Sequence, residues 1–383
     1  MERVLDKLDR LREELRSSFL ERDQVVDGAL CSLLSGSHLL LIGPPGTAKS
    51  LLAHELCTRI TGANYFQWLL TKFTTPEEIF GAVSLRGLEQ DEYRRVTTQK
   101  LPEAHIAFLD EVFKSSSSIL NTLLTIMNER VFYNGPGIVN VPLITLIGAS
   151  NEVPSEEEEL EALYDRFLLR YVVDYIREDF RFLKMIQSEP AQHASTTLTL
   201  DELRSLQAMS SRVAVSPQIF KLIVQIRKEL SRKGISVSDR RYKQSLSVLK
   251  ARAFIDGREE VSEEDLNMYE HMLWRSPEDK IEIKSTIYQI LYGYRDRSHE
   301  LLLQAKELEA YANRSWENEE MFIRANIEAQ SKLKMILANL NALIDECRER
   351  GKSTDELENV KMKIESIQKD ILDKILSSGE ALS

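Results

Sequence analysis

The sequence predicts an α/β protein: a parallel sheet covered by helices around a phosphate-binding loop, then an all-helical segment, then an antiparallel helical arm. Three observations predict it. Short all-apolar runs (Leu39-Leu40-Leu41-Ile42, Ile106-Ala107-Phe108-Leu109, and Leu143 to Ile147) alternate with helical patterns, as strands buried on both faces do. The first run feeds directly into Gly43-Pro44-Pro45-Gly46-Thr47-Ala48-Lys49-Ser50 and then Leu51-Leu52-Ala53, a strand, a glycine turn and a helix. Past about residue 205 the strand pattern stops and only helical spacings remain.

Bulk properties narrow the class. At 383 residues the chain is long enough for two or three domains, each with its own core. Only 15 glycines and 10 prolines accompany 29% charged residues, which suggests a helix-rich cytosolic protein. Cys31, Cys57 and Cys347 lie far apart inside helix-like apolar patterns, with neither metal-ligand spacing nor a disulfide framework. The N-terminus lacks a basic segment followed by an apolar one, and no stretch approaches a membrane span. A net charge of −11 argues against a general nucleic-acid surface, which needs clustered Lys and Arg.

The elements follow in order. Residues 1–35 read as helical, with Val4, Leu8, Leu11 and Leu15 on one face, and stop at Ser35-Gly36-Ser37. After the loop and its helix, a second strand is expected at Tyr65 to Leu69, and the third at Ile106 to Leu109. A helix then runs through Ile119, Leu120, Leu123, Leu124 and Met127. Val131-Phe132-Tyr133 and Ile138-Val139 flank a turn-forming tip and predict a hairpin, and Leu143 to Ile147 is the fourth core strand. Ser216-Pro217, Ser238 and Ser262 are helix starts for a small bundle that ends near Trp274 to Pro277. Ile283, Ile287, Ile290, Tyr294 and Leu301 begin a weaker apolar series. Phe322, Asn326, Ala329, Leu333, Ile336, Leu340, Leu343 and Cys347 alternate steps of four and three. So do Leu357, Val360, Ile364, Ile367 and Ile371, after a break at Gly351-Lys352-Ser353. The expected division is a nucleotide-binding domain over 1–205, a helical lid over 206–278 and the arm over 279–383.

The chemistry sits at strand ends. Gly43 to Ser50, with Leu51, would cradle phosphates through inward-facing N–H groups and the helix N-terminus. Lys49 would reach the terminal phosphates and Ser50 would hold Mg²⁺. The sixth loop position is Ala48 rather than glycine; its expected place is the helix start, where φ is negative and alanine fits. Asp110 and Glu111 close the third strand: Asp110 would bind Mg²⁺ through water, and Glu111 would orient or deprotonate the attacking water. Asn151, at the tip of the fourth strand, would sit between these two sites and hold the water or the γ-phosphate. Arg166 is the candidate for stabilising a neighbouring subunit's transition state, with Arg170 as its competitor. Arg240 would reach back from the lid to the phosphates. Glu156 to Glu159 read as a solvated acidic run, and His54, His105, His193, His271 and His299 show no metal or triad spacing.

Taken together, GPPGTAKS, FTTPEEIFGAVSL, LPEAHIAFLDEVFKSSSSILNTLLTIMNER, GASNEVP, LEALYDRFLLR and VSDRRYKQSL resemble the AAA+ P-loop ATPases, within them the MoxR family, close to its RavA-like branch. The resemblance is strong over residues 1–275 and loose beyond. It implies an AAA+ core with an insertion in helix 2 (Phe80 to Leu101), a hairpin before the Asn strand (131–142) and an all-α lid. It also implies ATP and Mg²⁺ as ligands, a homo-hexameric ring, cytoplasmic location, and chaperone-like action on partner proteins, including ones with von Willebrand factor A domains. Two other readings share the fold. A nucleic-acid motor would use Lys72, Arg86, Arg94, Arg95 and Lys100, although Glu77, Glu78, Glu89, Asp91 and Glu92 cancel that field. A nucleotide-switched scaffold would hydrolyse slowly and present its arm.

Overall fold

The single helical run expected before the first strand is two helices. In the computed structural model, which describes residues 2–154, 158–187, 196–314, 316, 319–349 and 354–380, α1 (Glu2–Ser18) and α2 (Asp23–Ser35) are separated by a turn. Glu21 in that turn is left-handed, with φ 59°. Leu8, Leu11 and Leu15 are buried on one face of α1 as their spacing requires. Asp27 of α2 is 5% exposed. Its carboxylate accepts from Arg12 (Nε and Nη2, both 2.8 Å), from Arg16 (3.2 and 2.8 Å) and from Arg252. Gly36 ends α2 at φ 66°, its N–H on the Ser32 carbonyl.

β1 (Leu39–Ile42) is buried at all four positions and leads through the loop into α3 (Lys49–Thr58). β2 (Ile60–Thr61) and β3 (Tyr65–Leu69) follow. α4 (Pro76–Phe80) has Thr75 and Glu78 as a capping box and proline in its first turn, and α5 (Leu85–Leu88) is a single turn. β4 (Ile106–Asp110) is the third expected strand, and α6 (Ser117–Glu129) the helix after it. β5 (Val131–Asn134) and β6 (Gly137–Asn140) form the hairpin. β7 (Thr145–Ser150) starts two residues later than the apolar run and continues through Gly148 and Ala149, which pair with Leu40 and Leu41.

α7 (Glu158–Arg166) leads into β8 (Leu169–Val172), a fifth core strand that the sequence reading took only as an arginine segment. α8 (Asp179–Gln187), β9 (Leu198–Thr199) and α9 (Leu200–Ser211) come next; residue 205 therefore lies inside a helix. The sheet has the order β3-β4-β7-β1-β8, and every adjacent pair is parallel. All strand carboxyl ends thus share one edge, with the tip of β7 between those of β4 and β1.

α10 (Pro217–Arg232) begins at the expected Ser-Pro, and α11 (Asp239–Ile255) is capped by Ser238 Oγ. The Ser262 start opens a 3-10 stretch, Glu263–His271, instead of an α-helix. α9 and α11 pack on α2, and the Arg12–Asp27–Arg252 cluster ties α1, α2 and α11 together.

The chain divides into two compact units, residues 1–216 with 230–284, and residues 217–229 with 285–383. In the second unit, α12 (Pro277–Ala312, from residue 285), α13 (Glu319–Glu349) and α14 (Asp355–Glu380) form a three-helix bundle. Asn326 Nδ2 donates to Ala312 O (3.4 Å), and Tyr311 Oη lies 3.5 Å from Glu328, so α13 runs antiparallel to α12. Arg348–Glu358 (2.7 Å) and Gln330 Nε2 to Gln368 O pair α13 with α14, again antiparallel. Leu333, Leu340, Leu357, Ile364 and Ile371 fill the core. The expected break at 351–353, Glu156 and Glu157 of the acidic run, and His193 lie outside the described residues. Among the described residues no helix is long and apolar enough to cross a membrane.

Candidate functional site

Because the sheet is parallel, the loop, the acidic pair and the asparagine meet at its carboxyl edge, where open α/β sheets bind ligands. Gly43 could not be replaced: a Cβ there would lie 2.0 Å from the Val173 carbonyl oxygen. Gly46 has φ +81° and open space where a side chain would point. Ala48 corrects the sequence expectation. It is left-handed, φ 64°, and caps α3 from outside the helix. The loop must reverse its curl there to aim N–H groups inward, so this position suits glycine, and alanine carries a strain of about 1–2 kcal/mol.

Lys49 is buried, and its Nζ donates to the loop carbonyls of Gly43 and Pro44 (2.5 and 2.9 Å) and approaches Asn151 Oδ1 at 3.5 Å. Burial lowers its pKa, opposed by the carboxylates of Asp110 and Glu111. Asn151 Nδ2 donates to Glu111 Oε1. Asp110 accepts the Glu111 N–H through Oδ1 (3.0 Å). The fold therefore brings Lys49, Asp110, Glu111 and Asn151 together, with Ser50 exposed in the first turn of α3. A buried ammonium, a hydroxyl, a carboxylate and a curled loop with open space above it fit a nucleoside triphosphate and Mg²⁺. Ser50 and Asp110 would hold the cation, which would neutralise developing phosphate charge.

A cavity of about 790 Å³ adjoins the loop at Gly46, Thr47 and Leu51 and is walled by Phe19, Tyr175 and Met185. The motifs do not reveal it. Its walls come from the α1–α2 turn and the segment after β8, which Glu21 holds together by accepting the N–H groups of Arg177 and Glu178, both at 3.0 Å. The apolar, aromatic-lined shape suits a base and ribose. Phe19 and Leu20, apolar residues in the turn after α1, belong to no motif of the sequence.

The arginines are elsewhere. Arg166 ends α7, immediately before β8, at the amino edge of the sheet. Its Nη1 lies 3.5 Å from Asp165, and its Nε is buried without a partner. Burial, and secondarily the charge of Arg240, lower its pKa. Arg240 donates to Asn128 Oδ1 (2.6 Å) at the end of α6. The neighbouring Met127 carbonyl is 3.1 Å from His38 Nε2, and His38 immediately precedes β1. Arg240 is therefore at the opposite edge from its own phosphate loop, which corrects the expectation that it reaches back to the phosphates. The geometric cause is α6, which starts at the carboxyl edge and carries Asn128 to the amino edge. Arg170 is also corrected as a candidate. It is 1% exposed inside β8, donates to the carbonyls of Phe167 (3.1 Å), Tyr164 (2.9 Å) and Trp274, and covers the Tyr164 ring at 3.8 Å. Arg241, which the motif reading did not single out, is likewise closed on carbonyls of Phe167 and Leu168 (2.7 and 2.9 Å).

In the inserted segment, Arg95 pairs with Glu77 (3.0 Å), Arg94 with Glu92 (2.9 Å), and Lys100 donates to the Glu78 carbonyl (2.9 Å). The Asn134 amide bonds both the N–H and the C=O of Arg95 (2.7 and 3.1 Å), joining hairpin to insert.

Comparison with known proteins agrees with this geometry. The model of the MoxR domain in the MoxR-vWA-beta-propeller ternary systems matches residues 6–211. The chain belongs to the MoxR family of AAA+ ATPases. An AAA lid domain model matches residues 218–287. An uncharacterized protein of Methanocaldococcus jannaschii is 44% identical over 298 residues, 78% of each chain. The chaperone MoxR1 of Mycobacterium tuberculosis is 28% identical over 227 residues, 57% of this chain and 58% of that one. A crystal structure of a candidate ATPase from Cytophaga hutchinsonii shares the fold with a TM-score of 0.61 at 19% identity, covering 75% of this chain and 94% of that one.

Proposed function

We propose that this MoxR-family chain hydrolyses ATP to ADP and phosphate as a homo-oligomeric ring, a hexamer by family resemblance, and uses the cycle to remodel a partner protein. The observation that carries this reading is the split of the site across the sheet. Lys49, Asp110, Glu111 and Asn151 stand at one edge, while Arg166 and Arg240 stand at the other, near each other and away from their own loop. A second copy that sets its amino edge against the first copy's carboxyl edge supplies the missing cations. Both arginines then act in trans.

In the hydrolytic step, Lys49 leaves the loop carbonyls for the β- and γ-phosphates, and the Asn151 amide orients the γ-phosphate or the water. The Glu111 carboxylate accepts the water's proton. Arg166 offers several N–H donors to the charge that spreads over the phosphoryl oxygens. Ser50 and Asp110 would hold Mg²⁺, which would supply charge neutralisation at those oxygens.

The partner reading rests on the matched family model, which describes MoxR domains of systems that also contain a vWA and a beta-propeller component. A vWA-domain protein is therefore the first partner to test. The placement near the RavA-like branch rests on the motif resemblance alone. The working division stays at 1–205, 206–278 and 279–383, with the arm for partner contact. The internal pairing of Arg94, Arg95 and Lys100 speaks against a nucleic-acid motor. The test is steady-state ATPase against protein concentration, with electron microscopy in a slowly hydrolysed ATP analogue. Specific activity is expected to rise with concentration and closed rings to appear. Glu111→Gln should keep ATP bound and lose about 10²–10⁴ in rate. Activity strictly linear in protein, with monomers under the analogue, would overturn the ring.

A further inference from the structure

Glu111 is held at both oxygens. Oε1 accepts from the Asn151 amide, and Oε2 lies 3.2 Å from Lys114 Nζ. Local backbone geometry builds the second contact. Glu111 is left-handed, φ 52°, and caps a 3-10 turn over Val112–Lys114, closed by the Lys114 N–H on the Glu111 carbonyl (2.8 Å). That one turn folds the chain back so that the Lys114 side chain meets the Glu111 carboxylate. The Glu111 side chain is 14% exposed and that of Lys114 48%, so the carboxylate is largely covered while its lysine partner reaches solvent.

We propose that Lys114 is a positioning residue for hydrolysis: it anchors Oε2 of Glu111 so that Oε1, the oxygen facing Asn151 and the phosphate loop, is the one presented to the attacking water. The inference rests on the ATPase reading above. An exposed i,i+3 ion pair contributes little to stability. What Lys114 supplies is direction: a carboxylate free to rotate spends part of its time with neither oxygen aimed at the water, and Asn151 is drawn away once it binds phosphate.

The test is single-turnover hydrolysis of radiolabelled ATP with excess full-length protein, alongside ATP affinity by calorimetry. Lys114→Ala and Lys114→Met should lower the rate about tenfold to a hundredfold with ATP affinity unchanged. Lys114→Arg, which keeps a cation within reach, should retain most of the rate. In the Glu111→Gln background, Lys114→Ala should remove nothing further, because the group it orients is gone. A Lys114→Ala rate within about twofold of wild type would overturn the proposal, as would equal fractional losses in both backgrounds. A loss of rate in alanine and methionine variants that is matched by lost ATP affinity or lowered Tm would also overturn it. If the wild type does not turn over ATP, the ATPase reading itself fails and takes this inference with it.

Discussion

The Asp27 cluster and the phosphate-loop site both gather opposite charges, and they treat them differently. Around Asp27 each guanidinium meets two acids: Arg12 and Arg252 also reach Asp256 (3.1 and 3.2 Å), and Arg16 also reaches Glu13 (3.2 Å). At the site, Lys49 is held by neutral carbonyls and Glu111 by an amide and an exposed lysine. A second contrast lies four residues apart: Arg170 is buried and closed on three carbonyls, while Arg166 keeps a buried Nε without a partner. Charges that are mutually satisfied hold helices together. Charges parked on exchangeable partners are available to a ligand or a second chain.

Two substitutions probe that contrast, and a third probes the backbone of the loop. The largest effect is expected for Arg166→Ala, which should bind ATP normally, keep its Tm and lose about 10³-fold or more in turnover. Mixing it with Glu111→Gln protein should restore part of the activity, because some interfaces then combine an intact loop site with an intact arginine. A mixture that stays inactive while mixed rings form, as seen by native mass spectrometry, would remove Arg166 from the trans role.

Asp27→Asn should do the reverse: unfold more easily in urea by about 3–5 kcal/mol, with near wild-type turnover per folded molecule. Burial pushes the Asp27 carboxyl up, but hydrogen bonds from Arg12, Arg16 and Arg252 outweigh it and hold the pKa at about 2. With the folded pKa below the unfolded one, the carboxylate's contribution is complete above about pH 4 and is lost as pH falls towards 2. The gap between wild type and Asp27→Asn should therefore be constant above that range and narrow below it. A pH-independent gap would show that packing, not charge, carries the effect.

The smallest effect is expected for Ala48→Gly. Relief of the left-handed strain should raise stability by about 1 kcal/mol at most, since glycine's larger unfolded-state entropy offsets part of the gain. ATP affinity should hold. A large loss in either would mean that the Ala48 methyl packs against something the loop needs.

Much of this was legible in the chain. Four core strands, the loop, the Asp110-Glu111 edge and Asn151 follow from buried-strand runs and short-range spacing, because a parallel sheet fixes where each strand end must lie. The apolar series from Asn326 to Ile371 specified the helical bundle, because side-chain periodicity along a helix is local. The missed pieces are non-local. β8 was hidden because Arg170 interrupts the run Leu168 to Val173, and only the carbonyls around it show that an arginine can be core. Ala48's sign of φ depends on how the whole loop curls between β1 and α3. The cavity beside the loop is walled by segments about 150 residues apart. That Arg240 bonds Asn128 at the amino edge, away from its own loop, depended on the direction of α6. Composition and spacing determined which groups the protein would use. Only the packing of helices onto the sheet decided which charges were closed on each other and which were left on exchangeable partners, because pairing is a matter of three-dimensional distance rather than sequence separation.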